Sequence, residues 1–251
     1  MIKKIFILFL FLVFSLSISL TEHIAMAAGE TLSGVPSIEA IIAKIKGNQS
    51  EIKDMSADIE TTITSTLKDS KPIVQKGRIL TKSPDKSKFE IFSPMKQITI
   101  TNGDMMCVIS PDTGMRFTQD LSKLREKGSL PQVSTPSDAT KVFDYFNLKL
   151  TEHGTKEYVI SGAPKEENEF LGKMDFFIDR DRFLPLRIAI YNPEGILISL
   201  SEIEYEKISD VWVPLKNTSI VSIPSGSMNV NMEFKNIKVN TGISDKEFEI
   251  K

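Results

Sequence analysis

Apolar and polar residues alternate in strand-length runs through residues 174–248. Met174, Phe176 and Ile178; Leu186, Ile188 and Ile190; Ile196, Ile198 and Leu200; and Met228, Val230, Met232 and Phe234 each fall at every second position. That spacing puts one greasy row on a single face of each strand. Turn residues separate the runs, so the segment is predicted to be one antiparallel meander. A sheet of this kind has a dry face that something must cover. The same alternation upstream predicts strands over 57–65, 73–81, 86–92, 97–101 and 105–109, with another at 158–161. Asp69-Ser70-Lys71-Pro72, Ser83-Pro84-Asp85 and Ser93-Pro94 break these runs, and Asn102-Gly103 is the strongest hairpin signal in the chain.

Helical spacing occurs in two places. Ile38, Ile41, Ile42 and Ile45 follow Ser37, a good N-cap residue. Gly47-Asn48 ends or kinks this helix, although Ile52 and Met55 continue the same face. Between 117 and 148 the strand pattern lapses. Leu121, Leu124 and Arg125 suggest a short helix, a Pro/Ser/Thr-rich stretch spans 130–136, and Ser137 can cap a helix carrying Val142, Phe143 and Phe146 on one face. Helix, strands, helical insert and more strands make one α+β domain dominated by antiparallel sheet. Two amphipathic helices are few for about ten greasy rows. The surplus apolar surface must curl on itself or bind something.

The N-terminus supplies the compartment. Lys3-Lys4 precede an apolar run over 5–20, and Ala25-Met26-Ala27 offers the small-x-small pattern of a cleavage site. The expectation is a cleavable signal over 1–27 and a single exported domain over 28–251. No cysteine lies near the site, so no lipidation is expected. Loss of the signal moves the formal net charge from −2 to −3, which gives no electrostatic footprint for nucleic acid or an anionic membrane. Cys107 is the lone cysteine and has no partner for an intramolecular disulfide.

Candidate chemistry is sparse. His153 is the one histidine beyond the signal, beside Gly154 in a turn, and no G-x-S-x-G elbow accompanies it. One histidine and one cysteine do not make a zinc cage. Asp179-Arg180-Asp181-Arg182 reads as a charged turn, and Glu166, Glu167 and Glu169 as a solvated loop tip. No metal or cofactor is expected, and no enzymatic activity. The eight methionines beyond position 27 offer an adaptable lining for apolar ligands.

The order of parts resembles the LolA-like family of lipoprotein carriers and lipoprotein-sorting proteins. The likeness rests on Ile52-Lys53-Asp54-Met55-Ser56-Ala57-Asp58-Ile59 at a helix-to-strand junction, on Gly77-Arg78-Ile79-Leu80 before Ser83-Pro84, and on Lys88-Phe89-Glu90 and Thr99-Ile100-Thr101-Asn102-Gly103. Leu184-Pro185-Leu186, Asn192-Pro193-Glu194-Gly195 and the tail from Phe234 to the phenylalanine at 248 continue it. The resemblance implies an unclosed antiparallel β-barrel, a strongly curved sheet whose apolar concave face is covered by helices. It implies a monomeric periplasmic chaperone for acylated lipoproteins or lipids, loaded by an inner-membrane exporter and unloaded at an outer-membrane acceptor. Ser83 stands where better-known members carry an arginine that latches the lid, and Met105-Met106-Cys107-Val108 stands where they carry aromatics. The latch is therefore not transferred.

On these grounds the expected cavity lining is Ile59, Ile63, Phe89, Ile91, Ile98, Ile100, Phe176, Ile178, Ile188 and Ile190, with Val142, Phe143 and Phe146 as the lid. Two alternatives stay open. A sensor or interaction module of the same fold would fill the cavity with its own side chains. An envelope hydrolase would need a buried carboxylate pair.

Overall fold

In the computed structural model, residues 35–122, 143, 145–153, 155–223 and 225–250 are described. They form one α-helix, α1 (Ile38–Ser50), and thirteen strands: β1 (Asp54–Ser65), β2 (Ile73–Lys82), β3 (Lys86–Ser93), β4 (Gln97–Asn102), β5 (Met105–Ser110), β6 (Met115–Asp120), β7 (Phe146–His153), β8 (Glu157–Pro164), β9 (Lys173–Asp179), β10 (Pro185–Tyr191), β11 (Leu197–Ile208), β12 (Val211–Ile223) and β13 (Gly226–Val239). A 3-10 helix, Asp245–Phe248, closes the chain. The expected signal over 1–27, Val142 and most of the expected second and third helices lie outside the described residues.

The strands make one antiparallel sheet in the order β6-β5-β4-β3-β2-β1-β13-β12-β11-β10-β9-β8-β7. The sheet is unclosed, with β6 and β7 at its edges. Two sequential meanders, β1–β6 and β7–β13, are joined side by side through β1 and β13. Sequence and structure agree on the main strands, whose observed ends extend the predicted runs by a few residues. At the β4–β5 hairpin Asn102 pairs with Met105, so the two-residue loop is Gly103-Asp104 with Gly103 at φ +60°. The Asn-Gly pair thus straddles the strand end instead of filling the loop.

α1 starts as its sequence dictates. Ser37 is extended and its hydroxyl accepts from the Ala40 N–H at 3.2 Å. The helix runs through Gly47 to Ser50 without ending there. Ile41 and Ile45, one turn apart, are fully buried against Ile160, Phe176, Ile178 and Ile188. The face of the sheet that receives them is called the helix-bearing face below.

Phe146 differs from its expectation. It is the first residue of β7, paired with Pro164, and not part of a helix. Its ring packs over Gly162, where any Cβ would meet it at about 3.0 Å. Strand pairing with β8 takes precedence over the helical spacing of 142, 143 and 146.

Candidate apolar site on the helix-bearing face

Register decides which side chains share a face, because directly opposed residues in an antiparallel pair point the same way. One cross-strand row can be followed from β7 to β2: Leu150, Ile160, Phe176, Ile188, Ser201, Ser219, Val230, Ile63 and Ile73. A parallel row runs Phe234, Ile59, Gly77, Ile91 and Gln97. The next holds Ala57, Ile79, Phe89, Thr99, Val108 and Phe117. Of the ten residues expected to line a cavity, eight therefore stand on the helix-bearing face: Ile59, Ile63, Phe89, Ile91, Phe176, Ile178, Ile188 and Ile190.

Ile98 and Ile100 stand on the other face. Phe89 pairs with Thr99, so Ile98 lies opposite Glu90 and Ile100 opposite Lys88. Alternation tells which residues of β4 share a face but not which face it is, and here the β3–β4 register sends its threonines towards the helix-bearing side. Ile100 is nevertheless buried, and Ile98 half-buried. Lys88 pairs with Glu247 at 3.4 Å, Lys82 and Lys86 with Asp245 at 2.8 and 3.2 Å, and Asn102 Nδ2 donates to the Phe248 carbonyl at 3.4 Å. These contacts hold the C-terminal 3-10 helix against β3 and β4 and bury Phe248 completely on the side of Ile100 and Cys107.

Six of the eight residues fall into two groups, while Ile63 and Ile91 are buried outside both. Phe176, Ile178, Ile188 and Ile190 belong to the cluster beneath α1, where Phe143 meets Phe176 edge-on with ring centroids 4.8 Å apart. Ile59 belongs to a second cluster with Met55, Ala57, Ile79, Val213, Met232 and Phe234. Phe89, half-buried, packs against the edge of that cluster, and its row ends at the exposed Phe117. The face is buried beneath α1 and exposed at β6.

Sequence reading missed two features. Buried polar side chains interrupt the rows: Thr61, Thr81, Thr99 and Thr101 on one meander, and Ser199, Ser201, Asn217 and Ser219 on the other. Their signal was weak because Ser and Thr read as the outward partners of an alternating strand. The second feature is a small crevice, open to solvent and with room for little more than a water molecule, between the end of α1 and Phe183, Tyr205, Trp212 and Pro214. Burial pushes the Tyr205 phenol above its ordinary value, against the opposing charge of Arg182.

The crevice is framed by the turn between β9 and β10. Asp179 Oδ1 accepts from the N–H groups of Asp181 and Arg182 at 3.1 and 2.7 Å, while Arg182 grips Oδ2 through Nε and Nη2 at 3.0 and 2.6 Å. Arg182 also lies over the Trp212 ring at 5.2 Å. Asn48 at the end of α1 donates to the Arg182 and Phe183 carbonyls at 2.6 and 3.3 Å. The charged turn thus anchors the helix to the sheet. Burial pushes the Asp179 carboxyl up, but the Arg182 fork and the backbone donors outweigh it and hold the group below its ordinary value. A carboxyl depressed in the folded chain contributes stability that is complete above the unfolded value near about 4 and lost as pH falls through the folded value. Asp179→Asn is expected to lower the melting temperature at neutral pH and to flatten its decline below about pH 4, as read by thermal melts across pH.

Among the described residues no three His, Cys, Asp or Glu side chains converge as a metal site, and no helix is long and apolar enough to cross a membrane.

Comparison with known proteins places the fold. A family described as an uncharacterized protein matches residues 136–251, somewhat under half of the chain. No curated protein matches. Among solved structures, a DUF1329 family protein from Desulfovibrio piger superposes with a TM-score of 0.63 at 17% identity, covering 83% of this chain and 94% of that one. A LolA superfamily protein from Nitrosomonas europaea gives 0.61 at 15% identity, covering 86% and 99%. An outer membrane lipoprotein-sorting protein domain from Vibrio parahaemolyticus gives 0.62 at 15% identity, covering 83% and 94%. With an unclosed antiparallel sheet, a helix seated on one face and these neighbours, the chain has a LolA-like fold.

Proposed function

We propose that the protein is an exported, non-enzymatic carrier. It shields the acyl chains of lipoproteins or lipids on the helix-bearing face and delivers them towards the outer membrane. In this reading residues 1–27 are a cleaved export signal, and residues 28–251 form one domain working in the periplasm, with an inner-membrane exporter and an outer-membrane acceptor as partners. The sheet is bent into an unclosed barrel around that face, with α1 seated on it and Phe143 packed edge-on against Phe176.

The observation that carries the proposal is the single apolar face shared by Ile59, Ile63, Phe89 and Ile91 in one meander and Phe176, Ile178, Ile188 and Ile190 in the other. An acyl chain crossing water needs shielding worth about 0.8 kcal/mol for each buried methylene. A face of aliphatic and aromatic side chains gives that without directional bonds, so the load can also leave. The lipoprotein-sorting neighbour from Vibrio parahaemolyticus supports the same assignment through its fold.

Native mass spectrometry of the protein purified from its own envelope, followed by lipid extraction, tests the reading. Co-purifying acyl chains or a triacylated lipoprotein support it. Binding of a fluorescent fatty acid gives a second test. Ile91→Glu and Phe89→Glu should each weaken binding at least tenfold, about 1.4 kcal/mol, while Asp181→Asn in the exposed turn leaves it unchanged. Melting curves identify any variant that has merely unfolded. Equal binding by folded variants of both classes sinks the proposed site.

A second reading has one observation in its favour. Ile41 and Ile45 of α1 occupy the β8–β10 part of the face themselves, as a sensor or interaction module filled by its own side chains would. A protein that stays empty after incubation with lipoproteins and lipids supports that reading.

A further inference from the structure

Thr81 lies in β2 on the helix-bearing face, opposite Met55 of β1 and Ser87 of β3, with Thr101 of β4 next along the row. It is 1% exposed, and its hydroxyl has no hydrogen-bond partner among the described residues. A buried hydroxyl left unpaired costs stability, and native chains keep few of them. Valine would fill the same space in a strand without that cost. The other hydroxyl band on this face is satisfied from within: Ser201 and Ser219 hydroxyls lie 2.8 Å apart, and Ser219 donates to Asn217 Oδ1 at 3.1 Å. Thr81 is different. Its neighbours in the adjacent row are Ile79, a core residue, and Phe89, so a free donor sits next to Phe89, one of the positions assigned above to acyl chains.

We infer that Thr81 is a ligand-binding residue whose hydroxyl donates a hydrogen bond to the carbonyl oxygen of an acyl ester or amide. It fixes the linkage end of the chain while Ile79, Phe89 and Ile91 hold the hydrocarbon. The inference rests on the carrier reading and adds a chemical class to it: carbonyl-linked acyl chains are preferred over equally long alkyl chains without a carbonyl. Such a preference costs little in release, because one neutral hydrogen bond contributes about 1 kcal/mol.

The test compares methyl palmitate with hexadecyl methyl ether as competitors of a fluorescent fatty acid on the full mature chain. The wild type should bind the ester about fivefold more tightly, the ratio one such hydrogen bond supplies. Thr81→Val should bind both probes equally, at the affinity of the wild type for the ether. Thr81→Ser should restore the preference. Thr81→Val should also melt at or above the wild-type temperature, since it removes an unpaired polar atom. A retained ester preference in Thr81→Val, or none in the wild type, overturns the inference and leaves the carrier reading standing. A fall in the melting temperature of Thr81→Val overturns it too, by showing that the fold itself satisfies the hydroxyl. Failure of the wild type to bind either probe removes the carrier reading and the inference together.

Discussion

Gly77→Ala is expected to destabilise the protein by roughly 3 kcal/mol, near the top of the usual range for overpacking. Gly77 sits in β2 between Ile59 and Ile91, at the register shift that separates it from Lys76. A Cβ built there falls inside the contact distance of the Glu90 carbonyl oxygen, 3.1 Å from the Glu90 carbonyl carbon and 3.3 Å from the Ile91 Cα. All three are backbone atoms. No rotamer relieves the clash, and β2 must move away from β3. For a chain of this size that cost corresponds to a melting temperature lower by about 6–12 °C. Gly47→Ala is the opposite case and an internal control. It lies exposed in α1 with nothing within 4 Å of its added methyl, so it should raise stability by about 0.5–1 kcal/mol. Thermal or urea melts of the two variants check both signs.

Phe176→Ala is expected to cost more still, about 3–5 kcal/mol. Phe176 is 1% exposed and stands at the centre of the cluster that receives Ile41 and Ile45. Its loss removes the edge-on partner of Phe143 as well as the floor beneath α1. Asn48 ties the C-terminal end of α1 to the β9–β10 turn through side-chain hydrogen bonds. Hydrogen exchange should therefore show α1 opening well before the sheet in this variant. Uniform exchange throughout the chain would mean that α1 is not seated independently of the strands.

Much of this architecture is legible in the sequence. Every second residue from Met174 to Ile178 or from Ile188 to Ile190 is apolar because those strands have one face under a helix. Ser37 and the isoleucines after it announce α1. Three things escape for physical reasons. β6 carries Met115, Arg116, Phe117 and Thr118, all exposed, so no dry row marks it and its segment reads as the start of a helical insert. The face of Ile98 and Ile100 depends on how β3 and β4 are aligned, which is long-range information that alternation within one strand does not contain. Thr61, Thr99, Ser201 and Ser219 look like solvent-facing positions, yet they are buried where neighbouring strands or side chains cover them.

The order of the strands also dictates how the chain must assemble. Every neighbouring pair in the sheet is joined by a local hairpin or connection except β1 and β13. The two meanders can zip from their own turns, since closing short loops costs little entropy. Pairing β1 with β13 instead brings together residues as far apart as Ser65 and Met228, or Met55 and Val239. The cluster of Met55, Ala57, Ile59 and Ile79 with Val211, Val213, Met232 and Phe234 straddles that junction. Each half alone therefore presents an unfinished apolar surface until the junction closes, which makes this step the slow, contact-order-limited one. It is also the interval in which the chain most needs protection from aggregation.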